Sequence, residues 1–225
     1  MTARPSPAGH RAARRDALAN REKILTVAAE LMAQRGRNVP LADIAEAAGV
    51  GVGTFYRGYP DRTALLHALE LRAYDMLIAV LDRIEESGQT GADAVETFLN
   101  EGLNLGNQLV LPLRGAPPLA DDAATTARAR INTALERFLS EGRADGTVRA
   151  DVNATDIIVC GAMVTQPLPH GSSWSTVARR HICVFVQGIR ATAGQRLPGP
   201  AVTQTTSKRC FVATPPRDVR ASAFQ

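Results

Sequence analysis

Apolar positions recur along this chain at the helical period of 3.6 residues, and no stretch alternates apolar and polar residues as a strand would. Residues 20–36 place Ile24, Leu25, Ala28, Leu31 and Met32 on one face, with Asn20 expected as the N-cap and Gly36 as the stop. Residues 61–86 carry Leu65, Leu69, Met76, Val80 and Ile84 behind a candidate cap at Asp61, and Gly88 and Gly91 break the pattern. A helix from about 92 to 110 follows, with Val95, Phe98, Leu99, Leu103 and Leu109. Pro112, Pro117 and Pro118 mark a loop, and residues 121–143 then present Ile131, Leu135, Phe138 and Leu139.

Two helices close the ordered part. Asn153-Ala-Thr-Asp156 reads as a near capping box for an almost wholly apolar helix over 154–166, holding Ile157, Ile158, Val159, Cys160, Ala162, Met163 and Val164. After a loop at 167–173, Ser175 is expected to cap a last helix reaching about 193, with Val177, Ile182, Val184, Phe185, Val186 and Ile189. The expected fold class is all-α.

The densest information lies in residues 41–60, LADIAEAAGVGVGTFYRGYP. A short amphipathic helix runs into Gly-Val-Gly, a second short helix follows, and Pro60 ends it. That is the pattern of a helix-turn-helix, in which one helix supports and the other enters the DNA major groove. Ala45 is small enough for the helix crossing, and Gly49 can take the positive φ that turns the chain. Leu41, Ile44, Ala48 and Val50 are expected to face back. On the second helix Phe55 and Tyr59 point inward, which leaves Val52, Gly53, Thr54, Tyr56, Arg57 and Gly58 outward. Hydroxyls at Thr54 and Tyr56 and the guanidinium of Arg57 suit phosphates or base edges. Arg62, at the start of the next helix, is expected at a backbone phosphate.

Composition narrows the reading. The chain has 225 residues, 45% of them hydrophobic, enough for one domain or two small ones. Aromatics are 4%, which favours Leu/Ala/Val helix packing. A net charge of +4 is compatible with a nucleic-acid partner, although much of the excess sits in the termini. Residues 1–18 (Arg4, Arg11, Arg14, Arg15) are expected as a basic arm without fixed structure that could lie on DNA, and 195–225 as a tail of the same kind. Cys160, Cys183 and Cys210 form no C-x-x-C pair and fit reduced thiols in the cytoplasm; the first two are expected as small buried apolar residues. No window reaches the apolar run of a membrane span, and no signal peptide is visible.

No nucleophile–base pair or metal cluster emerges, His10, His67, His170 and His181 being scattered; no catalytic residue, metal or cofactor is assigned. Gly49-x-Gly51-x-Gly53 follows a helix rather than a strand and lacks the Lys-Ser/Thr of a phosphate loop, which sets a nucleotide site aside.

On N-R-E-K-I-L at 20–25, A-x-x-L-M-A-x-x-G at 28–36, L-A-D-I-A-E-A-A-G-V at 41–50, G-T-F-Y-R-G-Y-P at 53–60 and A-L-L at 64–66, the segment 20–66 resembles the DNA-binding domain of the tetracycline-repressor (TetR) family of bacterial transcriptional regulators. The resemblance implies a three-helix DNA-binding domain at 19–65 and a ligand-binding and dimerisation domain at 66–194. It implies a homodimer, paired through the helices near 154–166 and 175–193, on a palindromic double-stranded DNA operator. A small-molecule effector, of unknown identity, would release the operator.

The contacts it carries over are Gly51, Val52, Gly53, Thr54, Tyr56, Arg57, Gly58 and Arg62. Two departures stand out: Gly58 has no side chain where the family commonly has a histidine or aromatic, and Val39-Pro40 offers no hydroxyl at the cap of the supporting helix. For the effector pocket, His67, Tyr74, Phe98, Asn100, Asn104 and Gln108 are the candidates, with core packing or a solvated face as the competing roles. A non-sensing or activating regulator of the same fold and an enzyme on a helical scaffold stay open as alternatives.

Overall fold

A computed structural model describes residues 7–111, 121–165, 173–190 and 196–199, with side chains from residue 15 onward. Among them are eight α-helices: α1 (Pro7–Arg35), α2 (Leu41–Ala47), α3 (Val52–Gly58), α4 (Arg62–Ser87), α5 (Gly91–Leu105), α6 (Asp122–Ala144), α7 (Ala154–Val164) and α8 (Trp174–Ile189). One turn of 3₁₀ helix, Gly106–Gln108, follows α5. The only pairing of extended backbone among the described residues is an isolated antiparallel bridge between Val148 and Arg190. The all-α expectation holds.

Two apolar clusters share α4. The first, the head, joins Ile24, Leu25, Ala28 and Met32 of α1 to Ile44 and Ala45 of α2, Phe55 of α3, and Leu65 and Leu69 of α4. The second, the body, begins at Ala73 and Tyr74 on the same helix and gathers α5 to α8 around Phe98, Leu99, Leu135, Phe138, Leu139, Ile157 and Ile182. The head core therefore reaches Leu69, four residues beyond the expected boundary at 65. On α4, Leu77 and Leu81 are buried together with Val80 and Ile84, while Met76 is only half-buried.

Helix ends follow local chemistry. The Asp61 side chain accepts from the Ala64 N–H, and the Asn153–Asp156 capping box is formed in both directions. Asp121 caps α6 through the Ala124 N–H. Two expected caps are displaced. Helix α8 starts two residues earlier than Ser175 would set it, with Ser173 at the N-cap. Helix α1 begins at Pro7, so Asn20 lies inside it and residues 7–18 are helical rather than without structure. The cause is composition: Ala and Arg dominate residues 8–19 and rank high in helix propensity, and Pro is tolerated in a first helical turn. Residues 1–6, the loop prolines 112, 117 and 118, most of the 167–173 loop, Cys210, and the tail apart from 196–199 lie outside the described residues. Within the tail, the Leu197 N–H donates to Asp151 at 2.8 Å.

The body closes where α5 and α6 cross. A Cβ on Gly142 would stand 2.7 Å from the Gly91 Cα and 2.5 Å from Val148 Cγ2, so the two helices meet through a glycine pair that admits no side chain.

Candidate DNA interface and effector body

The turn between α2 and α3 is built as the sequence demands. Gly49 has φ +62°, and Ala45, Ile44 and Ala48 are fully buried behind it. On α3, Phe55 is fully buried and Tyr59 is 5% exposed, the two rings packing 5.6 Å apart. Gly51–Thr54 and Tyr56–Gly58 are all exposed, with Val52 at 53% and Tyr56 at 42%. Seven of the eight residues expected at DNA thus share one open face. Val52 offers an apolar surface of the kind that meets a thymine methyl. Arg57 lies along its own helix, Nε donating to the Gly53 carbonyl and Nη2 to Thr54 Oγ1, both at 3.2 Å. Both bonds are exposed, so releasing the guanidinium to an anion costs little.

Arg62 is placed elsewhere. Its Nη1 donates to the Arg37 carbonyl at 2.5 Å and its Nη2 to the Val39 carbonyl at 2.7 Å. Half-buried, it clamps the α1–α2 loop to the first turn of α4, where the sequence reading expects a phosphate contact. The carbonyls preceding Pro40 have no helical partner of their own, and a charged donor satisfies them well. At the cap of α2 the expected gap is present: Pro40 makes no side-chain cap bond.

The six effector candidates fall in separate places. Tyr74 and Phe98 are buried in the body core. The Tyr74 hydroxyl donates to Glu70 Oε1 at 2.7 Å, and burial pushes its pKa far above the ordinary tyrosine value. His67 pairs with Asp121, the cap of α6, whose carboxyl is held below its usual value by the Ala124 N–H and by His67. Asn100 and Asn104 turn outward and receive the two ends of the Arg179 guanidinium from α8, at 3.0 and 2.6 Å. Their spacing of four puts both amides on one face, where they form a fork for an arginine. Gln108 accepts from Arg72 Nη1 at 2.9 Å, at the junction of head and body.

That junction and the α4–α6 contact contain the residues the sequence reading missed. Arg72 also donates to Glu22 at 2.8 Å and Thr26 at 3.0 Å, so one α4 guanidinium ties α1 to the end of α5. Glu70 is 1% exposed; its Oε1 accepts from Tyr74 and from Arg128 Nη1 at 3.2 Å, while its Oε2 has no partner. The signal was available, because Glu70 lies on the face of α4 that also carries Leu66, Ala73 and Tyr74. A buried carboxylate on such a face requires a cation or donors beside it.

The thiols divide. Cys160 is buried and its pKa is pushed up to about 11 by burial, which keeps it protonated at neutral pH. Cys183, expected to be buried, is exposed on α8. Among the described residues no helix is long and apolar enough to cross a membrane.

Comparison with known proteins agrees with this division. The family model described as bacterial regulatory proteins, tetR family, matches residues 24–69, which is the head. A second, described as transcriptional regulator SbtR-like, C-terminal domain, matches residues 92–191 of the body. The HTH-type transcriptional repressor LfrR of Mycolicibacterium smegmatis is 39% identical over 66 residues, 29% of this chain; the chain spans 35% of that protein's length. The crystal structure of a TetR transcription regulatory protein from Mycobacterium vanbaalenii is 28% identical with a TM-score of 0.56, covering 79% of this chain and 98% of that one. AibR, solved in complex with isovaleryl coenzyme A and operator DNA, shares the fold at 18% identity and a TM-score of 0.60, covering 76% of this chain and 97% of its own. The two family models meet the head and the body in the order in which the fold builds them, and the chain belongs to the tetR family of bacterial regulatory proteins.

Proposed function

We propose that the chain is a transcriptional repressor that binds a palindromic DNA operator as a homodimer and is released by a small molecule. The observation that carries the DNA reading is the division of α3, where Val52, Thr54, Tyr56 and Arg57 stand exposed above buried Phe55 and Tyr59. A helix anchored in this way can enter a major groove without unpacking the head. Release by a small molecule rests on the tetR-family membership, and AibR, solved with isovaleryl coenzyme A and operator DNA, is an example of this fold binding both a small molecule and DNA.

The dimer reading rests on α7 and α8. Met163 is 69% and Val184 72% exposed, and Ile158, Val159, Ala162 and Phe185 are only half-covered. An apolar surface spread over two adjacent helices is stabilised by burial, at roughly 25 cal/mol per Å². A second copy of α7 and α8 would supply that cover, and a palindrome with half-sites about 34–36 Å apart calls for two recognition helices in one assembly. DNA in a bacterial cell lies in the cytoplasm, where we place the protein.

Fluorescence anisotropy against the duplex upstream of its own gene tests the reading. Expected is tight binding that weakens with salt and competes poorly with unrelated duplex. Arg57→Ala should weaken it by about 1–3 kcal/mol, roughly 5- to 150-fold, without changing the melting temperature. Binding that shows no sequence preference in the intact protein would falsify the operator reading.

A further inference from the structure

Helix α1 is longer than the head needs. Its buried stripe begins at Ile24, yet the helix begins at Pro7, about 25 Å earlier at 1.5 Å per residue. Positions 11, 14, 18, 21, 25, 28 and 32 alternate steps of three and four, so they follow one face of the helix. In the head this face is Leu25, Ala28 and Met32, all buried against α2 and α4. In the extension the same face reads Arg11, Arg14, Leu18 and Arg21, with Arg15 beside it.

The stripe that is apolar in the head becomes arginine in the extension. Residues 15–23 are all exposed, and Arg15, Arg21 and Lys23 hold no hydrogen bond or ion pair among the described residues. Of the acids there, Glu22 is already neutralised by Arg72. From Pro7 to Lys23 the helix carries five basic residues against two acids.

The place of the extension matters as much as its charge. Lys23 stands over the turn of the helix-turn-helix, its Nζ 3.3 Å from where a Cβ on Gly49 would lie. That turn leads into Val52, the first residue of α3 and the end that enters the groove in this motif. The extension therefore leaves the head at the level of the recognition helix.

We infer that residues 7–21 of α1 are a second DNA-binding element, a basic helix face that lies on the phosphates flanking the groove α3 enters. The inference rests on the reading of α3 as the recognition helix. The partner is the phosphate backbone rather than the bases, because the face offers arginines repeated along a helix and no set of shorter polar side chains for base edges. It also offsets the missing anchors at Gly58 and Pro40.

Counterion release gives the test. Each phosphate contact contributes about 0.9 to the slope of log K against log salt. Binding to a mixed-sequence 30-base-pair duplex and to the operator is measured over a salt series for the intact protein and two triple variants. R11Q/R14Q/R15Q, which keeps helix-forming residues, should lower the slope by about 2 to 3 and weaken binding on the order of 10²-fold near 0.15 M salt. Its preference for operator over mixed duplex should be unchanged. R83Q/R130Q/R137Q removes the same charge from the body and should leave the slope as it is. An unchanged slope in the first variant, or an equal drop in both, overturns the inference, as does a change in oligomer mass in the first variant with DNA binding intact. If the intact protein binds neither duplex in a salt-dependent way, the reading of α3 fails instead.

Discussion

In the head, buried residues between Ile24 and Leu69 close on one another with Phe55 among them, whereas the body draws its core from Ala73 to Ile189 and fastens it with pairs as distant as Arg179 and Asn100, 79 residues apart. The head is thus a local structure and the body a distributed one, and α4 is a continuous rod through both. Helix α6 packs directly on α4 while α8 reaches it through α5, and α4 carries Leu65 and Leu69 under the recognition helix. The difference teaches that the head is specified by one short core, while the body depends on polar ties between distant stretches of the chain.

The sharpest way to break this comparison is Phe55→Ala. Removing a fully buried phenyl ring costs about 3–5 kcal/mol. With two separate cores, amides of α2 and α3 lose hydrogen-exchange protection while those of α6 and α7 keep theirs. Loss of protection in α6 and α7 as well shows that α4 makes the cores one cooperative unit, and the distinction between head and body collapses.

Arg128→Ala acts next, inside the body. It leaves Glu70, 1% exposed, with Tyr74 as its only described partner, and uncompensated buried charge is costly. Because the Arg128 side chain is about a third exposed, the penalty is discounted to roughly 2 kcal/mol. Adding Glu70→Met to Arg128→Met should recover most of that stability in urea unfolding. Failure to recover it means that the pair positions α4 against α6 through geometry that apolar packing cannot replace.

The junction is weaker again. Arg72→Met removes bonds to Glu22, Thr26 and Gln108, each worth about 0.5–1.5 kcal/mol before solvent takes their place. The expected net loss is about 1 kcal/mol, with faster exchange in α1 and little change in α6. Faster exchange spread through α6 instead shows that this contact holds the body together and is more than a link to the head.

The same contrast explains what was legible in the sequence. Gly49, Ala45, Phe55 and Tyr59 are read correctly because a helix-turn-helix is specified by spacing within twenty residues. The caps at Asp61 and Asn153 are legible for the same reason. The body's polar ties are not, because Glu70 meets Arg128 across 58 residues and Asn104 meets Arg179 across 75, and periodicity says nothing about which faces meet. Asn100 and Asn104 share a face, as their spacing of four predicts, and that face meets Arg179. The extension of α1 was misread in a different way, since a charge-rich segment suggests disorder unless the helix propensity of its Ala and Arg is weighed.

Arg62 gives the smallest expected effect on DNA and the finest test of the boundary between recognition and scaffold. By position it belongs among the DNA contacts, at the first turn of α4 beside α3. By geometry both of its Nη groups are committed to the carbonyls of Arg37 and Val39. Arg62→Gln should therefore lower stability by about 1 kcal/mol, since a half-buried charged donor is lost from two carbonyls. It should leave the salt slope of DNA binding unchanged, where Arg57→Ala reduces the slope if its partner is a phosphate. A slope that falls by about 0.9 in Arg62→Gln shows the guanidinium leaving the loop for a phosphate in the complex. The α1–α2 loop would then be held differently on DNA and off it, and the head would no longer be the rigid partner of the pair.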